Sequence, residues 1–146
     1  SNLFLHVEYS NLIGSSRKRR YTDEVFLFFK YMKITIYQKP TCSTCREVYN
    51  ILKESGVDFT SVNYYIDPLS KTKLKKLVKK MNIPARDLLR AKEPLYKELR
   101  LNERKLSSEE VISLMVQYPD LLQRPIVEKG NKAILARPAE RIKEIL

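Results

Sequence analysis

Both cysteines of the chain stand in one segment, Lys39-Pro40-Thr41-Cys42-Ser43-Thr44-Cys45-Arg46. The short apolar run Ile34-Thr35-Ile36-Tyr37 precedes it, and an amphipathic helix pattern (Val48, Ile51, Leu52) begins immediately after it. A Cys-x-x-Cys pair at a strand-to-helix junction presents a reactive thiolate. The first sulfur sits where the helix's free N–H groups and the positive end of its dipole converge. That environment lowers a thiol pKa from ~8.5 towards neutrality or below. The available chemistry is nucleophilic attack by Cys42 and thiol–disulfide exchange with Cys45. The bland alternative, two inert core thiols, fits poorly with Pro40 and the junction.

The rest of the composition narrows the options. The only histidine is His6, so zinc held by Cys and His alone is excluded, and a Cys–His catalytic pair is not expected. Two cysteines so close together are not a disulfide framework. With no secretory signal, they point to a reducing, cytoplasmic setting. Lys and Arg number 28 against 17 Asp and Glu, for a net charge of +11. The plain reading is a basic surface; the sharper ones are nucleic acid or a small anionic substrate. No run approaches the ~20 apolar residues of a membrane span. A length of 146 residues suggests one domain with a real core.

Elements that could position the thiols begin at Lys33. Residues 1–32 differ in character from the rest of the chain: they hold Gly14-Ser15-Ser16, the basic run Arg17-Lys18-Arg19-Arg20, then Val25-Phe26-Leu27-Phe28-Phe29. We expect Met32 to be the natural start and 1–32 an N-terminal extension, non-native or disordered. The alternative is a genuine arm whose aromatics dock. The four basic residues read as a solvated linker. Beyond them, Ile34–Tyr37 reads as strand one, Thr44–Ser55 as a helix stopped by Gly56, and Phe59–Tyr65 as strand two. That order implies a parallel pair. Ser70 caps a helix striped with Leu74, Leu77, Val78 and Met81. Pro84–Arg90 reads as a short helix. Ser107 with Glu110 forms a capping box opening a helix with Val111, Ile112, Leu114 and Met115. Ile126–Glu128 and Ala133–Leu135 read as a hairpin around Lys129-Gly130-Asn131, and a last short helix comes after Pro138. The order βαβ, helical block, ββα predicts an α/β fold of thioredoxin-like architecture, a mixed sheet with a helical insertion and helices on both faces.

Four further pieces carry a family resemblance. These are Ile34–Tyr37 through Pro40-Thr41-Cys42 and Arg46; Arg86-Asp87-Leu88-Leu89-Arg90 with Glu93-Pro94-Leu95-Tyr96-Lys97-Glu98-Leu99; Gln117-Tyr118-Pro119-Asp120-Leu121-Leu122-Gln123-Arg124-Pro125-Ile126-Val127; and Ala136-Arg137-Pro138. In that order and spacing, residues 33–146 resemble the glutaredoxin-linked arsenate reductases. The resemblance implies a catalytic Cys42 and an oxyanion site of Arg90, Arg124 and Arg137, with Arg46 adding to the positive field. Taken singly, each arginine would read better as a surface ion-pair member. Together, guanidinium forks suit a tetrahedral oxyanion and would keep Cys42 ionised. The resemblance further implies a cis Pro125 beside the cysteine and no metal or bound organic cofactor. Electrons would come from glutathione and glutaredoxin, or from thioredoxin. We also expect a monomer.

Two departures keep alternatives open. Those reductases carry serine where this chain has Cys45, and histidine near Gln38. Cys45 could resolve a Cys42 adduct as a Cys42–Cys45 disulfide. The related Spx transcription regulators use a Cys-x-x-Cys at this place as a redox switch and bind RNA polymerase. A second reading is therefore a redox-switched regulator, although the context of Arg90 and Arg137-Pro138 fits the reductases better. A third is a relative whose substrate is another oxyanion or a glutathione adduct.

Overall fold

The computed structural model describes residues 23–25 and 32–146. The expectations for residues 1–32 otherwise lie outside the described residues. The chain divides at Met32–Lys33, and the sheet, its helices and both cysteines belong to the unit from Lys33 to Leu146.

Four strands form one mixed sheet in the order β2-β1-β3-β4. They are β1 (Ile34–Gln38), β2 (Phe59–Asn63), β3 (Ile126–Lys129) and β4 (Lys132–Leu135). β1 and β2 run parallel, with Ile34 opposite Phe59, and are connected through helix α1 (Ser43–Glu54). β3 lies antiparallel to β1, with Tyr37 opposite Ile126, and turns directly into β4. Between β2 and β3 come α2 (Lys71–Met81), α3 (Pro94–Glu98) and α4 (Ser108–Gln117), with 3-10 turns at Ala85–Leu88 and Pro119–Leu121. A last 3-10 stretch spans Ala139–Glu144. This is the thioredoxin-like mixed sheet with a helical insertion. No described helix is long and apolar enough to cross a membrane.

Strand alternation sorts the core into two layers. Ile34, Ile36 and Val127 pack with Val48 and Leu52 of α1 and with Ala139, Ile142 and Ile145. Tyr37, Ile126 and Ala133 face the other way, onto Leu74 and Leu77 of α2 and Val111, Ile112 and Met115 of α4. Each fully buried leucine or isoleucine contributes about 2 kcal/mol.

The helix boundaries have local causes. Ser70 Oγ accepts from Lys73 N–H at 3.0 Å and starts α2. At α4, Ser107 Oγ accepts from Glu110 N–H while the Glu110 carboxylate accepts from Ser107 N–H, the capping box the spacing predicts. α1 ends at Glu54 with Ser55 as its C-cap, and Gly56 takes φ 74°, where a side chain would be strained.

Three expectations change. Strand two stops at Asn63, not Tyr65: the Asn63 Oδ1 accepts from Tyr65 N–H at 3.1 Å and turns the chain away from the sheet. Pro84–Arg90 is not a helix but the 3-10 turn Ala85–Leu88 and then extended chain. The extended part pairs instead: Leu89 bridges Leu122, and Arg90 N–H donates to the Leu121 carbonyl at 2.7 Å. Helix α3 and the turn Pro119–Leu121 are additional elements.

A buried carboxylate fastens α2 to the sheet. Glu128 of β3 accepts from Tyr37 Oη at 2.9 Å, from Lys73 Nζ at 2.8 and 3.1 Å, and from Lys80 Nζ at 2.5 Å. Lys73 and Lys80 stand two helical turns apart, so one face of α2 supplies both. Burial alone would raise the Glu128 pKa, but the two ammonium groups and the Tyr37 hydroxyl overcome it and hold it below the usual range. A carboxylate depressed in the folded state stabilises above its unfolded pKa, and that stability is lost as pH falls through the folded value. Glu128→Gln should therefore lower unfolding stability by about 2 kcal/mol near neutral pH in urea titrations. The deficit should shrink as pH drops below the ordinary carboxylate range. A deficit that persists or grows in acid would show that the charge is not what matters.

Candidate active site

β1 delivers the chain to a tight turn, and Cys42 N–H donates back to the Lys39 carbonyl at 3.0 Å. Cys42 is the N-cap of α1, with φ −82° and ψ 125°. Its Sγ accepts from Cys45 N–H at 3.4 Å, the task a serine or aspartate oxygen usually performs. The first turn of α1 carries no acidic side chain to neutralise the dipole there. Burial pushes the Cys42 thiol up, yet hydrogen bonding from Cys45 and the guanidinium of Arg124 outweigh it, and the pKa is lowered. Cys45 behaves oppositely. It is fully buried, and desolvation, with added repulsion from Cys42, pushes its thiol up to about 12. The two sulfurs are thus shifted in opposite directions, Cys42 towards the thiolate and Cys45 towards the neutral thiol.

Arg124 stands just before Pro125, at the entry to β3, and the antiparallel register carries it to the end of β1 where the cysteine turn begins. The Arg124–Pro125 peptide is cis, and so is Arg137–Pro138. The Arg124 side chain is buried at 6% exposure. Its Nη1 donates to Tyr65 Oη at 3.4 Å, and Tyr65 in turn donates to Asp120. Burial would weaken the Arg124 charge, but Tyr64, Tyr65 and Cys42 raise its pKa.

The other arginines arrive through neighbouring segments. Arg137 Nη1 donates to the Arg124 backbone carbonyl at 3.2 Å, so the end of β4 is tied to the entry of β3. Arg90 reaches the region through the Leu89–Leu122 bridge, reinforced by Gln123 N–H donating to the Leu88 carbonyl at 2.9 Å. Its Nε lies 3.9 Å from Glu93 Oε2. Arg46 is placed differently. It is exposed, donates to the Pro40 carbonyl at 3.3 Å, and lines a pocket of about 450 Å³ with Gln38, Tyr49, Asn50 and Ser61. Gln38, near which the resemblance places a histidine, is buried and donates to Ser61 Oγ at 2.7 Å.

Among the described residues, the buried side-chain polar atoms without a hydrogen-bond partner are Tyr64 Oη, Arg90 Nη1 and Arg124 Nε. Leaving such a donor unpaired costs about 1–3 kcal/mol, more when it is charged. Two of the three belong to arginines that the sequence motifs single out. Charged donors lacking a protein acceptor are what a tetrahedral oxyanion would engage. Sequence reasoning overlooks Tyr64, Tyr65, Asp120 and Lys39 as members of this region. The one cue for the tyrosines is that they come just after the C-terminal end of a parallel strand, where α/β sheets bind ligands.

The chain resembles known proteins in sequence and in fold. A sequence model of the ArsC family matches residues 37–145. An Escherichia coli protein known as the uncharacterised protein YfgD is 44% identical over 115 residues, covering 78% of this chain and 97% of that one. An arsenate reductase from Acidiphilium multivorum is 39% identical over 113 residues, covering 77% and 80%. The solved structure of an arsenate reductase from Vibrio cholerae superposes with a TM-score of 0.75 at 35% identity, over 79% of this chain and 98% of that one.

The asymmetry of the two sulfurs can be read directly. Iodoacetamide should modify Cys42 with a pH midpoint below the ~8.5 of a free thiol. Cys45 should stay unmodified until denaturant is added. Peptide mapping across a pH series checks both, and equal labelling of the two cysteines would disprove the assignment.

Proposed function

The chain belongs to the ArsC family, and from that premise we propose that it is a thiol-dependent arsenate reductase with Cys42 as nucleophile. The observation that carries this reading is the depressed Cys42 thiol at a helix N-terminus beside the buried Arg124, whose Nε has no protein acceptor. The arsenate reductases among its relatives support the substrate.

In the first step the Cys42 thiolate attacks arsenic. The S–As bond forms, an As–O bond breaks, and the oxygen leaves as water after taking a proton. Arg90, Arg124 and Arg137 would stabilise the oxyanion charge as it shifts. In the second step a thiolate attacks the Cys42 sulfur. An S–S bond forms and the S–As pair departs with arsenic, which is thereby reduced from the pentavalent to the trivalent state.

Two donors can supply that second thiolate. An external thiol, from glutathione and glutaredoxin, can approach because Cys42 is partly exposed. Cys45 is buried and neutral while Cys42 carries charge. Once Cys42 is bonded to arsenic, its sulfur becomes the electrophile, and attack by Cys45 after loss of its proton would form a Cys42–Cys45 disulfide for thioredoxin to reduce.

Cys42→Ser should abolish arsenate reduction with either donor system. Cys45→Ser should keep turnover with glutathione plus glutaredoxin and lose it with thioredoxin plus its reductase. Arg124→Lys should raise the arsenate KM roughly tenfold, the equivalent of one charge-assisted hydrogen bond, since a point charge replaces a fork. The decisive assay is arsenate-dependent thiol oxidation with each donor in turn. Inactivity with both would retire the reductase reading in favour of a redox-switched, polymerase-binding regulator.

A further inference from the structure

We propose that Tyr65 and Asp120 form a bracket that positions the Arg124 guanidinium against Cys42 and the oxyanion. The bracket rests on Cys42 being the nucleophile and Arg124 an oxyanion ligand. The direction of the hydrogen bonds is set by their chemistry. A guanidinium has only donors, so Arg124 Nη1 must donate to Tyr65 Oη, 3.4 Å away. The single hydroxyl proton of Tyr65 is then free to go to Asp120 Oδ1, the acceptor it meets. The same carboxylate oxygen lies 3.5 Å from Lys39 Nζ, which also stands 4.5 Å over the Tyr65 ring. Tyr65 is thus held at its hydroxyl by a carboxylate and on its face by a cation.

The three partners come from three separate segments. Lys39 lies in the turn before Cys42, Tyr65 just after β2, and Asp120 in the 3-10 turn before Arg124. Lys39 holds the nucleophile's turn as well, since its carbonyl accepts from Cys42 N–H. A continuous chain of contacts therefore runs from the cysteine turn through Asp120 and Tyr65 to Arg124. Fixing Nη1 orients the planar fork, whose Nε is buried and has no protein acceptor. A long side chain gains from such preorganisation because little freedom remains to be lost on binding. Asp120 and Lys39 are themselves substantially exposed, at 48% and 31%, which suits a positioning role better than a core one.

The test uses the full chain with Tyr65→Phe, Asp120→Ala and Asp120→Asn, each measured for arsenate kinetics, for the pH midpoint of Cys42 alkylation, and for melting temperature. Tyr65→Phe should raise the arsenate KM roughly tenfold, with a smaller change in kcat, and move the alkylation midpoint upward at nearly unchanged melting temperature. Asp120→Asn keeps an acceptor for Tyr65 and should restore most of what Asp120→Ala loses. A Tyr65→Phe protein with wild-type KM and midpoint would overturn the bracket. Should Tyr65→Phe melt early, the aspartate pair decides: a KM difference between Asn and Ala supports the bracket, and equal values refute it. If the wild-type chain does not reduce arsenate at all, the alkylation midpoint decides alone. A raised midpoint in Tyr65→Phe would then keep the bracket while the arsenate reading fails, and an unmoved midpoint would end the bracket.

Discussion

A cysteine at the start of α1, its thiol pKa lowered by hydrogen bonding from Cys45 and by the guanidinium buried beside it, is the arrangement on which the rest of the proposed site depends. Each stabilises the other. The Cys42 charge is favoured by hydrogen bonding from Cys45 and by Arg124, and the Arg124 charge survives burial because Tyr64, Tyr65 and Cys42 surround it. Desolvation opposes both charges, and the contacts each group makes outweigh it. The fold brings them together through two local facts: β1 runs directly into the cysteine turn, and β3 lies antiparallel beside β1 with Arg124 at its entry.

The same sheet carries a second buried ionic group with a different purpose. Glu128 lies on the face that receives α2, away from the α1 face, and takes Lys73, Lys80 and Tyr37 as partners. All of its charge is answered within the protein. Arg90 and Arg124, by contrast, each retain a buried donor without a protein acceptor. A satisfied network fastens layers of the fold, whereas an incompletely satisfied one offers its remaining donors to a ligand. That contrast is what the proposed site around Cys42 rests on.

Membership of the ArsC family and the thioredoxin-like sheet both agree with the order of elements read from the chain. The Ser70 cap and the Ser107–Glu110 capping box are encoded by residues within a few positions of each other. They could be read because their determinants are local. Where the reading of elements failed, a competing contact explains it. The Asn63 side chain ends strand two early, and pairing with residues 121–123 straightens the segment around Arg90 that looked helical. Arg46, close to Cys42 in sequence, donates to the Pro40 carbonyl of the cysteine turn and lines a pocket beside it.

The sequence by itself determined where a reactive sulfur had to stand. Strand, turn, cysteine and helix are consecutive, and the N-cap geometry that favours a thiolate depends only on those neighbours. Tertiary structure decided what surrounds that sulfur. Arg124 comes to it from 82 positions along the chain, and Tyr65 and Asp120, which hold Arg124, are 55 positions apart. The burial that separates Cys42 from Cys45, and the partners that neutralise Glu128 but leave Arg124 Nε open, arise only when distant segments pack. Desolvation and pairing are properties of the packed interior, and a linear pattern of residue types does not contain them.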